Sequence, residues 1–149
     1  MRRIVESVLI DAPRDVAWGA FADLAGWADW NRVLTGVRAG DPAGLAAGCG
    51  FSCRLRPFAV AIPFAVRVEI AEPPARLLWV ADRWGVRARH WFRFAERPGG
   101  ATLCESDEEL GGATVALAGP LFPSWRFRAL TRRFLADLKA EAERRRRDG

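Results

Sequence analysis

The sequence predicts an α+β domain in which an antiparallel sheet of six or seven strands curves around one long C-terminal helix, with two short helices after the first strand. Three observations predict it. A β-branched opening segment stops at Ala12-Pro13 and gives way to helical spacing. Five alternating or apolar segments then follow one another with only Gly- and Pro-containing turns between them. From Pro123 onward, apolar residues recur at three- and four-residue steps to the end of the chain. At 149 residues the chain is one domain, long enough to bury a core without disulfide staples.

The elements follow in order. Ile4 to Ile10 alternates Ile4, Glu6, Val8 and Ile10 on one side with Val5, Ser7 and Leu9 on the other, the period of a strand. Pro13 suits a first helical turn, Asp11 is placed to cap the amides beyond it, and Asp15 complements the helix dipole. Val16, Ala17, Ala20, Phe21 and Leu24 keep helical spacing, which predicts a helix over 13–23. Gly26 breaks it, and a second short helix is expected over Trp27 to Val33, with Trp27 and Trp30 on one side. Thr35 to Ala39 begins the next strand, and Gly40 to Gly44 is a loop by its turn residues.

The meander comes next. Strands are expected at Gly50 to Arg56, Phe64 to Glu72, Leu77 to Asp82, Arg87 to Glu96 and Ala101 to Leu110. Their separators are Pro57 to Pro63, Glu72-Pro73-Pro74, Trp84-Gly85 and Arg97 to Gly100, too short for crossover helices, so neighbours pair antiparallel. In the last helix Phe127, Leu130, Phe134, Leu138 and Ala142 form the apolar stripe. Arg133 with Asp137, Glu141 with Arg145 and Glu143 with Arg147 are spaced to pair on its exposed side. Residues 143–149 read as a frayed basic tail.

Composition removes several function classes. The net charge is +5, but four of those charges lie in Arg144 to Arg147 rather than among aromatics that could stack bases, so nucleic acid is not the expected partner. Contact of that tail with a partner or a membrane surface stays open, as does the choice between monomer and homodimer. The longest apolar stretch, Phe58 to Val68, is short, holds Pro63 and ends beside Arg67, so no membrane span is expected. Arg2 and Arg3 lead to Glu6 and Asp11 without a long apolar run, which is no signal peptide, and a cytoplasmic protein is expected. Cys49, Cys53 and Cys104 are odd in number, and with His90 the only histidine they make no zinc pattern. They read as small core residues, and no metal is expected. Phosphate-cradling glycine loops and a Gly-x-Ser-x-Gly elbow are missing, so no cofactor is expected either.

Ile10-Asp11-Ala12-Pro13-Arg14-Asp15-Val16-Ala17-Trp18 resembles the hydrophobic-x-Ala-Pro-x-x-Val-Trp start of the START-like or Bet v 1-like superfamily (SRPBCC), with one extra residue between Val16 and Trp18. Asp23 to Asn31 is similar to its aspartate-then-Trp-Asn turn. His90 to Phe94, Gly99-Gly100-Ala101-Thr102 and Glu108-Glu109-Leu110-Gly111 resemble the strand, hairpin and acidic strand end of polyketide cyclase/dehydrase-type members. The resemblance implies a helix-grip fold with a cavity between the sheet and the long helix. It implies no particular reaction, because a fold carries a pocket and not a chemistry.

Alternation supplies candidate site residues. Ala88, His90, Phe92 and Phe94 share one face, Thr102, Cys104, Ser106 and Glu108 another, and Phe64, Val66, Val68 and Ile70 a third. An interior lined by Phe51, Cys53, Phe64, Val66, Leu77, Trp79, His90, Phe92, Cys104 and Phe127 would be apolar with few polar anchors, as small-molecule pockets are. Arg54, Arg67 and Arg89 fall outside, paired across strands. Trp27, Trp30 and the Trp125 region serve either as a gate at the mouth or as core filler, and Trp30 joins the ligand-binding candidates. His90 and Glu108 admit two readings: a general acid/base with its orienting carboxylate, or an interior polar pair that is merely satisfied. Three functions follow: binding of a hydrophobic small molecule such as a lipid, isoprenoid, quinone or aromatic polyketide; polyketide cyclase/dehydratase chemistry through His90; and an interaction role for the arginine-rich C-terminus.

Overall fold

The computed structural model describes residues 1–40 and 44–149, so the central part of the expected Gly40–Gly44 loop lies outside the described residues. Strand β1 (Arg2–Ile10) buries Ile4 and Ile10 and turns Glu6 inward, where Arg128 and Arg132 of the last helix hold its carboxylate at 2.6 and 3.1 Å. The strand ends where Pro13, with an extended backbone, caps helix α1 (Arg14–Ala22), one residue later than expected. Asp11 does not cap that helix. Its amide donates to Glu143 and its carboxylate faces Arg146, both on the last helix, so the distant helix wins it from the local turn. Helix α1 presents Ala17, Trp18, Ala20 and Phe21 to the core.

Gly26 ends a 3-10 turn (Leu24–Gly26) capped by Asp23, and α2 (Trp27–Trp30) is a single turn rather than the longer helix expected. Asn31 stops it: its backbone is extended and its side-chain oxygen accepts the amides of Val33 and Leu34, which starts β2 (Leu34–Ala39). The meander is β3 (Gly50–Leu55), β4 (Ile62–Glu72), β5 (Arg76–Arg83), β6 (Val86–Arg97) and β7 (Ala101–Gly111). All seven strands form one antiparallel sheet in the order β1-β7-β6-β5-β4-β3-β2. A register shift in β4 between Val68 and Ile70 moves Ile70 off the inward face: it pairs with Leu78, and Ala71 packs on the core in its place.

An unexpected helix α3 (Ala113–Ala118) follows β7 and rests on the β5–β6 hairpin. The approach depends on glycine. Gly112 has φ 94°, and a Cβ on it would lie 2.4 Å from the Gly85 carbonyl oxygen. A further 3-10 turn (Gly119–Leu121) leads into α4 (Ser124–Asp148), which packs against β1, β7 and α1. Phe134, Leu135, Leu138 and Ala142 are buried along α4, while Phe127 and Leu130 nearer its start are half-buried.

The ion pairs of α4 reach farther than helical spacing suggests. Asp137 is taken by Arg32 at 2.7 Å rather than by Arg133, and Glu143 by Lys139 rather than by Arg147, whereas Glu141 with Arg145 forms as spaced. The expected frayed tail is helical to Asp148. Arg144 pairs with Glu141 and Asp148, Arg145 with Glu141 and Asp23, and Arg146 with Asp11, which stitches the end of the chain to α1 and its approach.

Candidate functional site

A cavity of about 240 Å³ lies between the sheet and the first half of α4. Its position follows from how the grip is filled. Phe21, Trp27, Phe51, Trp79, Phe92 and Phe134 meet ring to ring, with centroids 4.7–6.5 Å apart, and plug the half nearest α1 and α2. The other half stays open. On β3 to β7 the boundary falls within one step of alternation: Leu55 is in the wall and Cys53 is not, Phe64 and not Val66, Trp79 and not Leu77, Phe92 and not Phe94, Ser106 and not Cys104.

Of the residues expected at the wall, the cavity therefore collects Phe64, Trp79, His90, Phe92 and Phe127, together with Glu108. Phe51, Cys53, Val66, Leu77 and Cys104 are on the expected face but buried in the plugged half. Trp30 packs against Trp27 and Phe134 at 6.0 and 5.8 Å and is likewise outside the wall. Burial pushes the Cys53 thiol up to about 12 and the Cys104 thiol higher still, so neither is a nucleophile. Trp27 is fully buried, its Nε1 donating to the Phe21 carbonyl at 2.9 Å, and no residue from Trp27 to Asn31 lines the cavity, so this stretch is no mouth. The exposed members of the lining, Arg83, Trp84 and Thr114, place the mouth at the opposite end, beside Pro57 and Phe127.

Apart from Arg83 and Thr114 at the mouth and Thr131, whose hydroxyl donates to the Phe127 carbonyl at 3.0 Å, the polar side chains of the wall form one constellation. His90 on β6 stands in register with Glu108 on β7, and its Nδ1 lies 3.2 Å from Glu108 Oε2. Its Nε2 lies 2.6 Å from the hydroxyl of Ser106, two residues before Glu108 on the same face. Phe92 stacks on the imidazole at 4.2 Å between centroids and Trp79 meets it edge-on at 5.5 Å, so the ring cannot swing. With an ionised Glu108, Nδ1 carries the proton it donates, and Nε2 is then the acceptor of the Ser106 hydroxyl. Both imidazole nitrogens are engaged, and Ser106 is fully buried. Glu108 keeps a second carboxylate oxygen, so a ligand hydroxyl can be accepted by a group whose charge is backed by the imidazole.

Alternation places Ser106 beside Glu108 without marking it as part of the site. A signal for it exists: a polar residue two before Glu108 on an inward face must have a partner. Leu55, Ile62, Ala81, Ala88, Leu110 and Leu130 also line the cavity and carry no signal beyond alternation or helical spacing. Among the described residues no group of three or more His, Cys, Asp or Glu is placed to hold a metal ion, and no helix is long and apolar enough to cross a membrane.

Known structures share the architecture. The di-domain ARO/CYC protein BexL from the BE-7585A biosynthetic pathway superposes with a TM-score of 0.78 at 19% identity over 95% of this chain, which spans 50% of the length of BexL. The protein TTHA0849 from Thermus thermophilus gives a TM-score of 0.79 at 12% identity, covering 95% of this chain and 97% of the other. A START superfamily protein from Mycobacterium smegmatis gives 0.71 at 13% identity, covering 98% and 97%. At such identities the likeness is one of fold. No curated protein matches the sequence. The family described as "Polyketide cyclase / dehydrase and lipid transport" matches residues 1–143, nearly the whole chain. The protein belongs to that family, with the START-like helix-grip fold its opening motif and strand order foreshadow.

Proposed function

We propose that the protein binds a hydrophobic small molecule of modest size, with a hydroxyl of that molecule donating to the free carboxylate oxygen of Glu108 in the Glu108–His90–Ser106 chain. The observation that carries this is a mostly hydrocarbon-walled space with one hydrogen-bonded cluster of polar side chains, His90, Ser106 and Glu108, in its sheet wall. The volume of about 240 Å³ is below the roughly 300–1,000 Å³ of drug-sized pockets, so a longer lipid, isoprenoid, quinone or polyketide would extend through the mouth. A family description that joins lipid transport with cyclase chemistry supports ligand holding of this kind. Organic extraction of the purified protein, and titration with a panel of fatty acids, isoprenols, quinones and aromatic polyketides, tests it. Saturable binding by one class is expected, and none across the panel would overturn the proposal.

The contact between His90 and Glu108 favours a second reading, cyclisation or dehydration of a polyketide. There the carboxylate–imidazole pair takes a proton from the carbon beside a ligand carbonyl. In cyclisation that carbon bonds to a second carbonyl carbon whose oxygen takes up the proton. In dehydration a C=C bond forms as the C–O bond one carbon further on breaks and the protonated oxygen leaves as water. Glu108→Gln and His90→Ala should then abolish turnover while ligand affinity stays within a few-fold. Undiminished turnover in both variants would leave binding alone.

A further inference from the structure

The cavity opens among side chains that water solvates poorly. Six of the large apolar side chains exposed among the described residues, Phe58, Val60, Trp84, Leu117, Leu121 and Trp125, lie on three segments around the mouth. These segments are the β3–β4 loop, the β5–β6 hairpin turn, and α3 with the approach to α4. They are tied into one ring. Phe58 meets Trp125 at 6.4 Å between centroids, the Thr114 hydroxyl donates to the Trp84 carbonyl, and Arg126 donates to the Pro57 carbonyl.

Charge on this ring has one sign. Residues 55–61, 83–86 and 112–127 contain no aspartate or glutamate, and they hold Arg56, Arg83 and Arg126. Arg83 lies over the Trp84 ring at 5.0 Å. The far end of α4 differs, because Arg144, Arg145 and Arg146 there are engaged by carboxylates of the same chain. Arg56, Arg83 and Arg126 enter no ion pair among the described residues, and no carboxylate on these three segments opposes an external anion there.

The shape of the patch selects the occupant. Leu117 and Leu121 are each 89% exposed, so they stand as tips rather than as a flat face. A folded partner would need a socket for each of several separate tips set around an opening. The boundary between lipid headgroups and acyl chains is fluid and conforms to them, tryptophan is at home there, and anionic headgroups complement the arginines.

We infer that this ring docks on the surface of an anionic phospholipid bilayer. The six apolar side chains enter the headgroup–acyl boundary, Arg56, Arg83 and Arg126 meet lipid phosphates, and the cavity opens onto the membrane. Docking does not depend on the ligand reading, because it is measured on the protein alone.

The test is flotation of the full chain with vesicles of phosphatidylcholine alone or mixed with phosphatidylglycerol. Partitioning onto the mixed vesicles that weakens with added salt is expected. The double variant Leu117→Ser/Leu121→Ser should lower the partition coefficient by about tenfold or more at an unchanged melting temperature. Arg56→Gln should lower it by about fivefold on the anionic vesicles only. Leu9→Ser, at an exposed apolar site on β1, should leave it unchanged. No partitioning onto either vesicle, or equal partitioning of wild type and the double leucine variant, would overturn the inference. So would self-association that the leucine variant abolishes without any vesicle binding, which would make the ring an interface between copies of the chain.

Discussion

Ala88→Leu should raise the stability of the protein while closing it to its ligand. Ala88 sits on β6 between Ala81 of β5 and Leu110 of β7, and all three line the cavity. A leucine there sends three further carbons into a space of about 240 Å³ instead of into packed atoms. At about 0.8 kcal/mol per carbon removed from water the ceiling is about 2.4 kcal/mol, and ordering the side chain takes back about 0.5–1 kcal/mol. A net gain of about 1–2 kcal/mol corresponds to a rise in Tm of roughly 2–8 °C for a domain near this size. Ala20→Leu is the matched control: Ala20 is fully buried in the plugged half, where overpacking costs about 1–3 kcal/mol and Tm should fall. Thermal melts followed by circular dichroism read the stability, and titration with 1-anilinonaphthalene-8-sulfonate reads access to the cavity. The probe should bind Ala88→Leu about tenfold more weakly or worse, since its apolar burial is lost. If Ala88→Leu melts as low as Ala20→Leu, or binds the probe as wild type does, the space is not there and the reasoning fails.

The three thiols should separate in a labelling experiment: Cys49, half-buried, reacts with a thiol reagent at mildly alkaline pH, while Cys53 and Cys104 react only in denaturant, burial having raised both. Three equal native rates would contradict the packing described. Ser106→Ala removes the 2.6 Å partner of His90 Nε2 and should cost about 1–3 kcal/mol, with the imidazole nitrogen-15 spectrum losing its fixed Nδ1–H form. Unchanged stability together with an unchanged spectrum would detach Ser106 from the site. Arg144 and Arg145 hold the Glu141 carboxyl below its usual value, and Arg3 and Arg93 do the same for Asp107. A carboxyl depressed by folding contributes stability above its unfolded value, near about 4, and loses it as pH falls through the folded value. Acid unfolding should therefore steepen below about pH 4, and Glu141→Gln should flatten that limb while lowering stability at neutral pH. An acid limb identical to wild type would refute the assignment.

How much of this was legible in the sequence depends on what each signal measures. Alternation reports which face of a strand a residue occupies, and Ala88, His90 and Phe92 do share the inward face with Ser106 and Glu108 across the ladder. It is silent about height along the strand. Whether Cys53 or Leu55 reaches the cavity depends on where Phe21, Trp27 and Phe134 fill the grip, and those rings arrive from helices far away in sequence. The same distance effect takes Asp11 from a local cap to Glu143 and Arg146, and Asp137 from Arg133 to Arg32. Helix α3 carries little signal of its own, because Ala113 to Ala118 has no charged residue, its preceding Gly112 makes no side-chain cap, and its reason for existing is the Gly85 hairpin it touches. Trp27 to Asn31 suggests a mouth because tryptophans cluster there, yet clustered tryptophans bury one another. Those left exposed, Trp84 and Trp125, lie apart from the cluster, one on the β5–β6 turn and one in the first turn of α4.

The plug also sets how large a ligand can be. Phe92 belongs to both halves, its ring 4.7 Å from Phe21 in the plug and 4.2 Å from His90 in the cavity, and Trp79 bridges them in the same way at 5.9 and 5.5 Å. Deepening the cavity means cutting one of these rings, at about 3–5 kcal/mol for a buried aromatic reduced to alanine. That is a large part of the roughly 5–15 kcal/mol by which a domain holds its fold. Growth of the ligand is cheap only in the other direction, past Pro57 and Trp84 and out through the mouth. A molecule too long for the cavity would then carry its apolar remainder into the ring of Phe58, Leu121 and Trp125, and a membrane against that ring would cover what the protein leaves bare.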